Sequence, residues 1–286
     1  IAVNPLNPDN IVAVFQGPSP NGFRSCFFSY SFDGGRHWTL GGLAPRERND
    51  EFCSDPGITA DANGNFYFSS IDGDLAPSGL VLDFDMVVAK STDGGRTFPS
   101  FSVAVNQIQG EKDTPFPDKD LIAADTSPTS PFQGSVYLAY SNPSSHGRVD
   151  INVVISRDGG TSWSAPVVVT EAQGNQGSEL ERFGAVPLVA RDGTVYVFYM
   201  IFPLTPPPTG PTSIQFSKSS DGGATWAPPA SVASNLPSPG FFLLRNADPD
   251  FGVLPGHGFL SNSMPTAAIA ADGTLSVAWI DFAAGS

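Results

Sequence analysis

The chain is poor in the residues that carry most recognisable chemistry. Its 286 residues include two cysteines, three histidines, and 14 lysines and arginines against 28 aspartates and glutamates. With only His37, His146 and His257, and no Gly-x-Ser-x-Gly, there is no Ser-His-Asp signature. No phosphate-cradling glycine loop or zinc motif is found either. A formal net charge of −14 argues against nucleic acid and against anionic membrane as partners, because like charges repel. No apolar run approaches the roughly 18 residues needed to span a bilayer. No signal peptide is visible, and a chain that opens on Ile1 rather than Met reads as a mature or trimmed product.

Turn formers, by contrast, are plentiful. There are 30 glycines and 27 prolines. Together they make up about a fifth of the chain, which suits many short strands and stays below the level of disordered sequences. The length allows one or two domains, and an all-β barrel or propeller can run this long as one unit.

One short motif occurs four times: Ser31-Phe-Asp33-Gly-Gly-Arg-His-Trp38, Ser91-Thr-Asp93-Gly-Gly-Arg-Thr-Phe98, Ser156-Arg-Asp158-Gly-Gly-Thr-Ser-Trp163 and Ser219-Ser-Asp221-Gly-Gly-Ala-Thr-Trp226. The aspartates recur every 60 to 65 residues (33, 93, 158, 221), with apolar strands between them. A period of that size predicts a repeat architecture in which each unit buries its faces against its neighbours. Asp-Gly-Gly supplies the positive φ angles of a tight reversal, and the aspartate accepts hydrogen bonds within its own turn. Four equivalent turns cannot all be one active site, so Asp33, Asp93, Asp158 and Asp221 are read as structural.

The pattern Ser-x-Asp-Gly-Gly-x-x-Trp resembles the Asp-box, or BNR repeat, of sialidases and sialidase-like β-propellers. The resemblance covers nearly the whole chain. It implies an all-β fold, a β-propeller of four-stranded antiparallel blades, with the boxes on the face opposite the binding cleft. Blades are expected at about 1–44, 55–105, 118–170 and 184–234, with a partial one at 264–286. That is four and a half blades where the family has six, which suggests part of a longer protein; the alternative is a five-bladed ring whose last blade is incomplete or completed by another chain. Within each repeat a short strand precedes a strongly apolar one, as in Leu121-Ile-Ala-Ala124 then Val136-Tyr-Leu-Ala-Tyr140. Apolarity on both faces of the second strand marks it as buried between layers. In such a propeller Cys26 and Cys53 fall on one face of adjacent blades. They either form the only possible intramolecular bridge, which implies an oxidising, extracellular setting, or remain two thiols.

A propeller's site lies where loops enter the innermost strand and leave the second. Arg24, Arg148, Arg182 and Arg245 come from four such loops and could converge on a carboxylate, since a guanidinium holds one bidentately; the other reading pairs them with nearby acids. Asp55, Asp120 and Glu181 join them as candidate substrate-binding residues. The resemblance places a general-acid aspartate in a loop leaving an early second strand, where Asp74 and Asp85 are candidates, with Asp83 and Asp150 behind them. Asp72, Asp74 and Asp83 could together hold Ca²⁺ through oxygen ligands, or simply be solvated; no other cofactor is expected.

The sialidase Arg-Ile-Pro signature has no match: the corresponding stretches read Asp55-Pro56-Gly57-Ile58 and Phe183-Gly-Ala-Val186. Two further positions, a glutamate and an arginine in sialidases, read Val189 and Met200. The tyrosine nucleophile and its glutamate would lie beyond Ser286. The expectation is therefore a secreted, glycan-directed propeller, either a glycoside hydrolase acting on an acidic or neutral sugar or a non-catalytic module that binds a glycan or protein.

Overall fold

The structure, a computed structural model, describes residues 1–18, 24–46, 52–75, 81–108, 117–143, 149–170, 180–203, 212–236 and 264–280. Every regular element among them is a β-strand. β1 (Ala2–Asn4), β2 (Asn7–Pro18), β3 (Arg24–Ser31) and β4 (Thr39–Leu43) pair in chain order as the first sheet. β5 (Phe52–Ala60), β6 (Phe66–Leu75), β7 (Val81–Ser91) and β8 (Ser100–Ile108) form the second. β9 (Asp118–Ala124), β10 (Val136–Pro143), β11 (Val149–Ser156) and β12 (Val167–Val168) form the third. β13 (Leu180–Val189), β14 (Val195–Pro203), β15 (Thr212–Ser219) and β16 (Ala230–Leu236) form the fourth, and β17 (Thr266–Ile269) with β18 (Leu275–Ala278) makes a two-stranded fifth. Pairing within each sheet is antiparallel; one parallel pairing, Val149 with Glu181, links the third and fourth sheets.

The hydrophobic core is divided into seams between consecutive sheets. Val12, Phe28, Phe66, Phe68 and Phe98 fill the first seam; Tyr67, Ile71, Met86, Leu138 and Tyr140 the second. Tyr137, Ile151, Val153, Val197 and Tyr199 fill the third. Adjacent residues of β6 and of β10 thus serve opposite seams, as the two-residue period of a strand requires. Complete burial of β11 follows, since both its faces are covered. The first strands β5, β9 and β13 lie side by side, with β1 and β17 flanking them, so the first strand of each sheet is the innermost.

The four Ser-x-Asp-Gly-Gly turns share one hydrogen-bond set. Each serine hydroxyl donates to the aspartate two residues on, at 2.7–2.8 Å. The same hydroxyl accepts from the N–H of the second glycine at 2.8–3.0 Å. Each aspartate then accepts the backbone N–H four residues ahead, from His37, Thr97, Ser162 or Thr225, at 2.9–3.0 Å. Three of the turns dock on the preceding sheet. Asn10, Lys90 and Arg157 donate to the carbonyls of Gly94, Gly159 and Gly222 at 2.8, 3.2 and 2.8 Å. Gly95 is needed twice over: its φ is +81°, and a Cβ there would stand 2.2 Å from Val12 Cγ2. The first turn has no such partner among the described residues, and its Trp38 is 42 % exposed where Phe98 of the second is 7 % exposed.

Register fixes which residues share an end of the sheets. Phe66 pairs with Ser91 beside a turn, whereas Asp72 pairs with Asp85 and Asp74 with Asp83 at the other end. The turns therefore lie at one end. Asp55, Asp72, Asp85, Asp118, Asp120, Asp150, Glu181 and Arg182 lie at the opposite end, called here the mouth.

Candidate functional site

Each of three innermost strands carries a bulge at the mouth. The ladder shifts between Ser54 and Gly57 in β5, opposite Ala139–Ser141 in β9, and between Phe183 and Val186 in β13. The left-handed residue in each is Asp55 (φ +48°), Lys119 (φ +55°) and Gly184 (φ +71°). A bulge inserts an unpaired residue and re-aims its side chain. Non-glycine residues in this conformation cost roughly 1–3 kcal/mol and persist where surrounding structure enforces them. The ladders resume beyond the bulges, which is why β5 starts at Phe52 and β13 at Leu180, ahead of the expected 55 and 184.

The first two bulges meet. Lys119 Nζ donates to Asp55 Oδ1 at 2.8 Å, joining β9 to β5. Burial tends to lower the Lys119 pKa, but the charges of Asp55, Asp118 and Asp120 outweigh it and raise it. Asp118 lies above the usual carboxylate range, because of burial first and the adjacent charge of Asp55 second; the two carboxyls are hydrogen-bonded. Asp120 is pushed up to about 8, chiefly by complete burial, with Asp55 and Asp118 adding to it. The Ser69 hydroxyl is close enough to oppose that rise, yet neither oxygen of Asp120 makes a well-formed hydrogen bond, and Ser69 Oγ and Ser141 Oγ are buried without partners among the described residues. Gly57 keeps this space open: a Cβ there would stand 2.6 Å from Ser69 Oγ. A protonated, buried acid beside an ion-paired carboxylate is an arrangement suited to proton transfer.

A second charged group sits one sheet further on. Arg182 Nη1 donates to Asp150 Oδ1 at 3.5 Å, and Thr170 Oγ1 donates to the same oxygen at 3.3 Å. Glu181 is half-buried beside it, at the parallel pairing with Val149.

The structure thus brings Asp55 and Asp120 together, and Arg182 with Glu181 and Asp150. Arg24 opens β3 and is exposed, two strands out from the innermost one. Arg148 and Arg245 lie outside the described residues. Asp72 and Asp85 are buried and directly opposed; Asp74 is half-buried opposite Asp83, of which only the backbone is described. Among the described residues no three acidic, histidine or cysteine side chains are grouped to hold a metal ion; the Asp83 side chain, part of the Ca²⁺ reading with Asp72 and Asp74, lies outside them. Cys26 and Cys53 form a disulfide that ties β3 to β5 at the mouth. Gln16 Nε2 donates to the Cys53 carbonyl at 3.0 Å, two residues before Asp55. Asp118 and Lys119 are not among the candidates read from the sequence; the signal that points to them is the run Asp118-Lys119-Asp120, three charges opening an innermost strand.

No family model matches the sequence, and no curated protein matches it. Solved structures do match it. A Dyadobacter fermentans protein of unknown function aligns with a TM-score of 0.59 at 14% identity, over 98% of this chain and 77% of its own. The α-L-arabinanase of Penicillium chrysogenum, solved with arabinobiose, aligns with a TM-score of 0.55 at 13% identity, over 95% and 75%. A point mutant of the Streptococcus pneumoniae NanB sialidase gives 0.54 at 10% identity, over 96% and 60%. The fold is a sialidase-like β-propeller. The five sheets are its blades, the innermost strands surround its axis, and the mouth is the end at which innermost-strand bulges gather charge.

Proposed function

We propose that this propeller is a secreted, glycan-directed protein whose mouth hydrolyses a glycosidic bond. The observation that carries the reading is the contact of Asp55 and Lys119 across two blades, with the carboxyls of Asp118 and Asp120 both raised beside it. Glycoside hydrolysis most often uses a protonated carboxyl at the leaving oxygen and an ionised carboxylate some 5–9.5 Å away. Asp55 and Asp118, being hydrogen-bonded, are too close to bracket a bond and act as one proton-holding unit. Asp120 is our candidate general acid, and Asp150, ion-paired with Arg182 two strands away, our candidate for the ionised partner. Arg182 and Glu181 then position substrate. The disulfide supports an oxidising, extracellular setting. The shared fold with an arabinanase and a sialidase supports a glycan as ligand, though fold alone does not assign chemistry.

A second reading, a glycan-binding propeller without catalysis, is favoured by one observation: Val189 and Met200 stand where sialidases carry a glutamate and an arginine. One assay separates the two. The full chain is incubated with a panel of arabino-, galacto- and sialo-oligosaccharides and released sugar is measured. Hydrolysis that falls about 100-fold or more in Asp120→Asn, the usual scale for losing a general acid, and that declines as pH rises through about 8, supports the enzyme. Binding without release across the panel supports the module.

A further inference from the structure

The innermost strands carry two described cations at the mouth, and both are engaged. Lys119 is 2.8 Å from Asp55, with side-chain exposures of 34% and 20%; Arg182 is 3.5 Å from Asp150, with exposures of 14% and 12%. The other two described cations at this end belong to the outer half of the first blade. Arg24 opens β3, and Arg46 follows β4 in the small cleft beside the disulfide. Asp120 of the innermost strand β9 is buried, as are Asp72 and Asp85 on the second and third strands of the second sheet. A ligand carboxylate entering here would lose its hydration and would have to displace an aspartate to reach a guanidinium.

A hydroxyl meets the opposite situation. Asp120, Ser69 and Ser141, from the second and third blades, offer buried oxygens that make no well-formed hydrogen bond among the described residues, Ser69 standing near Asp120 without good geometry. Buried polar atoms of this kind carry a desolvation cost until a partner arrives. A sugar hydroxyl donates and accepts at once, so a few can satisfy a carboxyl and two serine hydroxyls together. We infer that the mouth takes an uncharged sugar, held through its hydroxyls by Asp120, Ser69 and Ser141, and not a sialic or uronic acid. The inference rests on the glycan reading above and narrows it.

The test uses the full chain with arabinobiose and lactose as neutral probes, and with sialyllactose and digalacturonic acid as anionic ones. Binding is followed by titration calorimetry at 20 and 200 mM salt. The expected result is binding of a neutral probe that changes less than twofold with salt and weakens at least tenfold in Ser69→Ala and in Asp120→Asn, both shown by thermal unfolding to remain folded. Preferential, salt-sensitive binding of an anionic probe, lost in Arg182→Met, Arg148→Met or Arg245→Met, would overturn the inference while leaving the glycan reading intact. Neutral binding indifferent to Ser69 and Asp120 would overturn it too, by placing the sugar elsewhere. Failure of all four probes to bind would remove the glycan reading itself.

Discussion

Aspartate is used in opposite ways at the two ends of these blades. In the turns it is exposed or nearly so, and saturated with donors. The hydroxyl and the N–H of Thr225 hold the Asp221 carboxyl down to about 2. Asp33 and Asp158 are also lowered, by the His37 N–H first in one and the Ser162 hydroxyl first in the other. At the mouth Asp120 is buried without a well-formed hydrogen bond and Asp118 is half-buried beside Asp55, and both are raised. Four copies of one residue in a recurring motif therefore carry structure, while the irregular ones have the shifted pKa values that the proposed chemistry uses. Donor supply and burial separate them, whereas residue type and count do not.

The contrast can be broken most severely at Gly95. Replacing it with alanine adds a left-handed strain of about 1–2 kcal/mol and an overpacking of about 1–3 kcal/mol against Val12. The expected loss is roughly 2–5 kcal/mol in denaturant unfolding. Gly35→Ala, whose added Cβ meets nothing nearer than 3.6 Å, should cost only the strain of about 1–2 kcal/mol. Equal losses at the two sites would mean that turn docking contributes little.

A milder probe is pH. Asp120 holds its proton in the folded state up to about 8 but would lose it near 3.8 when unfolded, so stability declines as pH rises between those values. The turn aspartates work the other way: lowered when folded, they stabilise fully above the ordinary carboxylate range and lose that contribution as pH falls toward 2. Unfolding midpoints at pH 5 and pH 8 should differ in the native chain, and the difference should shrink in Asp120→Asn, with Asp118 keeping the remainder. A native profile flat from 5 to 8 would contradict the buried-acid picture. The smallest effect is expected for Ser91→Ala, which removes one hydroxyl that both donates to Asp93 and accepts from Gly95; about 1 kcal/mol is the usual scale for such a cap, measured as a shift in unfolding midpoint.

These differences explain what could be read from the residues in advance. The turns were legible because their hydrogen bonds are local: Ser31 to Asp33 and Asp33 to His37 span two to four residues. The apolar second strands were legible because Val136 to Tyr140 are buried on both faces. The bulges were not, since Asp55 and Lys119 adopt a conformation that their side chains disfavour and only tertiary contacts enforce. The meeting of Lys119 with Asp55 spans 64 positions, and no sequence pattern of either strand encodes it. Arg24, Arg182 and their companions were grouped by loop position alone; the register separates Arg24 from the axis and leaves Arg182 beside it, facing Asp150.

Phe66 and Tyr67, neighbours along β6, look into different seams. It follows that no blade owns its own interior: what is inherited, swapped or engineered intact is the joint between two blades. Exchanging a single blade for another would require both flanking joints to be recut, because a middle strand such as β6 carries side chains of both.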